Sequence, residues 1–219
     1  MQTNTKQLTT LAMLSALAII SVLLIRFPMF TPFPFPTYDP KDVVIIIGGF
    51  LYGPLAAMLI IVVVGLVEMI TISETAFWGL LMNIVSSSSF VLPAVLIYRR
   101  WRNLPMAIVG LIIGSLVGTG VMLLYNYLIV PLYMPFVTRA DVVPMLTSIF
   151  LPFNLVKNGL NAAMAVMLYK PISVALTNAR LYQPATTGST RKFNIWVLVA
   201  SAFVVLTLIL IILAERGVF

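Results

Sequence analysis

Glu68, Asn83, Asn126, Asn154 and Lys157 are polar side chains set in otherwise apolar runs. In hydrocarbon such groups are costly; they line cavities or pair with one another. Asn154 and Lys157 are spaced i,i+3, which places both on one helical face. An amide donates and accepts at once and an ammonium carries three donors. Such a set suits a neutral ligand rich in acceptors, such as a heterocycle bearing carbonyls. The same residues also allow a Glu68–Lys157 ion pair with the amides bonding across helices, which needs no ligand. Other chemistry is closed off. With no Cys and no His there is no disulfide framework, thiol nucleophile, usual zinc or haem site, or His base. No G-x-x-x-x-G-K-[ST] loop is present, so any ATP-driven step would have to come from other chains. Glu68 and Glu74 lie six apart, which does not stack them on one helix face as an acid–base pair.

The elements that must position these residues follow from composition. Of 219 residues, 61% are hydrophobic and 9% charged, with a mean hydropathy of +1.10. A soluble domain carries roughly 25% charged residues, so a soluble enzyme or nucleic-acid binder is a poor reading. Spans of about 20 apolar residues are expected at 8–25, 77–98, 106–130, 149–177 and 195–214. The stretch 42–72 is either one long helix or a hairpin broken at Leu51-Tyr52-Gly53-Pro54, where proline removes an amide donor. Cytoplasmic loops are rich in Lys and Arg. Only the hairpin puts Lys6, Arg99, Arg100, Arg102, Lys170, Arg180, Arg191 and Lys192 on one side. Its first arm, 42–52, is about 16 Å long and must lean on neighbours. The +7 formal charge thus marks topology: N-terminus inside, and the five polar residues in the outer half of the bundle.

The expected architecture is an all-α integral membrane protein. A six-helix membrane domain covers 1–178, a cytoplasmic linker 179–192, and a seventh transmembrane helix 193–219. Between the first two helices, residues 27–41 (FPMFTPFPFPTYDPK) hold five prolines and five aromatics. That composition favours stiff, polyproline-like backbone. It suits either a lid over a planar ligand or an interfacial aromatic belt. Ala12-x-x-x-Ala16 and Gly110-x-x-x-Gly114-x-x-x-Gly118 are small-residue faces that let backbones approach closely. At most one of them is expected to dock another subunit.

The chain resembles the substrate-binding S components of energy-coupling factor (ECF) vitamin transporters, most closely their riboflavin-specific group. The resemblance covers about residues 9–171. It is carried by Tyr38-Asp39-Pro40-Lys41-Asp42, Phe50-Leu51-Tyr52-Gly53-Pro54, Gly79-Leu80-Leu81-Met82-Asn83, Asn126 with Pro131-Leu132-Tyr133, and Leu151-Pro152-Phe153-Asn154-Leu155-Val156-Lys157. It implies a non-enzymatic subunit with no cofactor of its own that takes riboflavin from outside. It also implies flavin contacts at Asn126, Asn154 and Lys157, with Asn83, Glu68 and Tyr38 completing the candidate set. The Ala12 and Ala16 face is implied to dock on a transmembrane coupling subunit (EcfT), which works with two cytoplasmic ATPases. The seventh helix departs from the six-helix pattern. Alternatives are an S component for pantothenate, biotin or folate, and a proton-coupled small-molecule carrier.

Overall fold

The computed structural model describes residues 5–29, 37–73, 75–134, 136–182 and 195–215. In chain order these form α1 (Thr5–Ile25), β1 (Phe27–Pro28), β2 (Thr37–Tyr38), α2 (Lys41–Tyr52), α3 (Pro54–Thr71), α4 (Phe77–Trp101) and α5 (Leu104–Tyr133). There follow α6 (Arg139–Met145), a π-helical turn (Leu146–Phe150), α7 (Leu151–Asn178) and α8 (Ile195–Glu215). Five helical runs are long and apolar enough to cross a membrane: Thr5–Ile25, Pro54–Thr71, Phe77–Trp101, Leu104–Tyr133 and Arg139–Asn178. Leu24, Ile70 and Leu116 are among the large side chains left on the outside of the bundle, where lipid rather than water would meet them. The protein is a multi-pass membrane protein.

The stretch 42–72 folds as the hairpin. Gly53 adopts φ +99° between the two arms, a conformation open to glycine and strained for side chains. Pro54 then opens α3, where its missing N–H costs nothing. The short arm α2 survives by burial: Val43, Ile45, Ile46, Ile47, Gly48 and Gly49 are all enclosed by α1, α3, α4 and α7. Those residues join Leu14, Ile60, Phe90 and Val95 in the main core.

The two small-residue faces part company. Gly114 lies so close to α4 that a Cβ would collide with the backbone carbonyl of Phe90, and Gly110 meets Ala94 in the same way. The glycine face is therefore spent inside the fold. Ala12 and Ala16 are exposed on the outer side of α1.

Three local features depart from expectation. The helical run expected to begin near 149 starts ten residues earlier, at Arg139. Thr138 and Asp141 form a capping box there, which satisfies orphan amides at the start of the run. The run widens into the π turn just before Pro152. Proline lacks an amide donor and crowds the carbonyl four residues back, and a π turn accommodates both faults. The loop between α1 and α2 is not wholly polyproline-like: its ends pair as an antiparallel ladder, Phe27 opposite Tyr38 and Pro28 opposite Thr37. Residues 30–36 of that loop, Glu74, most of the 179–192 linker with Arg191 and Lys192, and Arg216 lie outside the described residues.

Candidate functional site

One end of the bundle gathers every buried charge among the described residues. Asp39 precedes α2, Lys41 and Asp42 open it, Glu68 stands in the last turn of α3, and Lys157 lies in the second turn of α7. All five are buried. Lys157 Nζ donates to Asp39 Oδ2 at 2.8 Å. Lys41 Nζ bridges both oxygens of Glu68, at 2.9 and 2.7 Å, and stands 3.7 Å from Asp39 Oδ1. Asn83 Nδ2 donates to Glu68 Oε2, and Ser87 Oγ to Asp42 Oδ1 at 2.6 Å. Buried ions persist only when partners satisfy them, and this cluster of three carboxylates and two ammoniums holds three of the chain's six acidic residues.

Amides buttress the cluster. Asn161 Nδ2 donates to the Asp39 carbonyl at 3.3 Å, and Tyr38 donates its hydroxyl to Asn161 Oδ1 at 2.9 Å. Asn158 Nδ2 reaches α5 at Ser115 O and Thr119 Oγ1, both at 3.4 Å. Burial by itself raises the Asp39 carboxyl, but the charges of Lys157 and then Lys41 outweigh it and hold it at about 2.

Each candidate residue can now be placed. Tyr38, Glu68, Asn83 and Lys157 belong to the connected cluster. Asn126 and Asn154 are buried on α5 and α7 at the same end, but each donates its side-chain amide to its own helix, at Met122 O (2.8 Å) and Phe150 O (2.7 Å). Each such bond uses only one of the several hydrogen-bonding positions an amide offers. The Glu68–Lys157 pair is not formed. Lys41 stands nearer to Glu68, so Lys157 takes Asp39 instead.

Asp39, Lys41, Asp42, Ser87, Asn158 and Asn161 escaped the reading from spacing. The first three sit at a helix start, where charges ordinarily face water. A signal did exist for the last two. Asn154, Lys157, Asn158 and Asn161 follow i, i+3, i+4, i+7, a single polar stripe down α7.

Two buried side-chain atoms find no hydrogen-bond partner among the described residues: Asp39 Oδ1 and the Tyr125 hydroxyl, next to Asn126. Such atoms are rare in native structures. Beside the cluster, an apolar cavity of about 370 Å³ lies between Tyr38, Pro40, Leu160, Met164 and the α8 residues Val205 and Ile212. A smaller one of about 90 Å³ sits at the opposite, basic end, against Phe50, Tyr98, Arg102 and Tyr169.

Comparison with known proteins converges on one group. The family described as ECF transporter, substrate-specific component, matches residues 6–172. Riboflavin transporter RibU of Staphylococcus aureus is 33% identical over 180 residues, covering 79% of this chain and 93% of the relative. Riboflavin transporter FmnP of Bacillus subtilis is 29% identical over 164 residues, covering 69% and 84%. A solved S component of a bacterial ECF transporter superposes with a TM-score of 0.68 at 31% identity, covering 78% of this chain and 97% of that one.

Proposed function

The chain belongs to the family of ECF transporter substrate-specific components, and from that premise we propose that it is the membrane subunit that captures riboflavin for an ATP-driven importer. The observation that carries this reading is that both curated relatives, matched over most of their length, are riboflavin transporters. The family is one of transporter components, not enzymes.

In this reading the polar end of the bundle faces outward and the N-terminus is cytoplasmic. That orientation puts Lys6, Arg99, Arg100, Arg102, Lys170 and Arg180 on the inner side, as the positive-inside rule asks. The six-helix body is completed by α6, the π turn and α7 acting as one membrane segment, and α8 is a seventh. Asn126, Asn154 and Lys157 offer donors to the carbonyls and ring nitrogens of the flavin. Asn83 and Glu68 hold the Lys41 side of the cluster in place, and Tyr38 fixes Asn161. Apolar walls keep water from competing for these bonds, which strengthens each of them. The exposed Ala12–Ala16 face meets the coupling subunit EcfT, and two ATPases supply the energy that this chain has no motif to harvest.

Titrating the purified protein with riboflavin, pantothenate, biotin and folate tests the reading, with fluorescence of Trp78, half-buried at the start of α4, as the signal. Tight saturable quenching by riboflavin alone is expected. Quenching by another vitamin but not by riboflavin would reassign the substrate.

A further inference from the structure

Asp39 is buried, yet only one of its two carboxylate oxygens is satisfied. Oδ2 accepts from Lys157 at 2.8 Å. Oδ1 accepts no hydrogen bond among the described residues, and Lys41 Nζ at 3.7 Å is at ion-pair range but too far to donate. A buried charged acceptor left without a donor is expensive, so this oxygen calls for a donor from elsewhere. The backbone of Asp39 is anchored from behind: Asn161 donates to its main-chain carbonyl and Tyr38 holds Asn161.

The Asp39–Lys157 pair therefore joins an acceptor-only oxygen to an ammonium that still has donors to give. The pyrimidine edge of a flavin runs carbonyl, imide N–H, carbonyl. A neighbouring donor and acceptor on the protein match a neighbouring carbonyl and N–H on that edge. Resting on the riboflavin reading above, we propose that Asp39 is a specificity-determining residue whose Oδ1 accepts the imide N–H of the flavin. Lys157, held in place by the other oxygen, donates to a flanking carbonyl. Asp39 thus selects for ligands with a ring N–H between two carbonyls.

The test compares riboflavin with 3-methylriboflavin, in which a methyl group replaces the imide hydrogen, and with lumiflavin, which lacks the ribityl chain. Wild-type protein should bind the methyl analogue at least about tenfold more weakly than riboflavin, because the charged acceptor loses its donor. In Asp39→Ala that preference should fall to within about twofold of unity while some riboflavin binding persists. A purely structural role would weaken both ligands alike and leave the ratio unchanged, which would overturn the proposal. Equal binding of both ligands by wild type would also overturn it. So would Asp39→Ala weakening riboflavin but sparing lumiflavin, since that moves the contact to a ribityl hydroxyl. If Asp39→Ala does not accumulate folded, the neutral pair Asp39→Ala/Lys157→Met avoids an unpaired buried ammonium and reads the same ratio. Absence of riboflavin binding by wild type would sink the substrate reading itself, and with it the premise used here. Riboflavin bound without discrimination would sink this inference alone.

Discussion

Lys157 and Asp39, 118 residues apart in the chain, meet at 2.8 Å inside the bundle. The contact ties the start of α2 to the first turns of α7, and through Lys41 and Glu68 it extends to α3 and α4. Lys157 is thus a structural partner before any ligand arrives.

Breaking that pair from one side should therefore be severe. Lys157→Met leaves Asp39 buried without its hydrogen-bonded cation, with Lys41 at 3.7 Å as the remaining one, and removing one partner of a buried ion pair costs about 3–5 kcal/mol. Thermal unfolding in detergent should show a large drop for Lys157→Met. It should show substantial recovery in Lys157→Met/Asp39→Leu, where neither charge remains. Additive losses in the double variant would show that the two residues do not act as a pair.

The pH response of the same contact has a definite sign. Asp39 is held at about 2 in the fold, below its ordinary value of 3.8. A carboxyl depressed by folding contributes stability that is fully present above its unfolded value and is lost as pH falls through the folded one. Wild-type unfolding temperature should thus lose this contribution only between about pH 4 and pH 2. Asp39→Asn should be less stable at neutral pH, with its deficit shrinking across that window. A deficit that stays constant down to pH 2 contradicts the assignment.

Packing of α5 on α4 allows a paired comparison of glycines. At Gly114 a side chain meets the Phe90 backbone, whereas at Gly120 nothing lies within 4 Å. Gly114→Leu should cost upward of about 3 kcal/mol, because backbone cannot yield as a side chain can. Gly120→Leu, pointing outward into lipid, should leave size-exclusion profile and unfolding temperature nearly unchanged. Similar behaviour of the two variants would mean that the close α4–α5 crossing is wrong.

If the Ala12 and Ala16 face docks the coupling subunit as proposed, substitutions there should separate binding from uptake. Both are exposed on α1 and remote from the polar end. Ala12→Leu/Ala16→Leu should leave riboflavin affinity of the purified subunit within about twofold, as surface changes usually do. It should abolish uptake in cells that supply the coupling subunit and ATPases. Uptake that survives the double substitution removes this face from subunit docking.

Much of the molecule is legible in one dimension because the membrane imposes one-dimensional rules. Hydrocarbon demands long apolar helices, and Lys/Arg placement orients them. With only 9% of residues charged, Glu68, Asn83, Asn126, Asn154 and Lys157 stand out by their cost. Gly53-Pro54 marks the α2–α3 break for an equally local reason, since glycine alone takes φ +99° without strain.

What only the tertiary structure decided is which charge meets which. Spacing along α7 puts Asn154 and Lys157 on one face, but it is silent on whether Lys157 takes Glu68 or Asp39. That choice depends on where the start of α2 lands, and that follows from burial of Ile45, Ile46 and Ile47 among α1, α3, α4 and α7. Asp39 and Lys41 look like ordinary loop-end charges until that packing draws them out of solvent. Electrostatic partnership falls off with distance in space, and the chain brings residues 118 positions apart within hydrogen-bond reach only by folding.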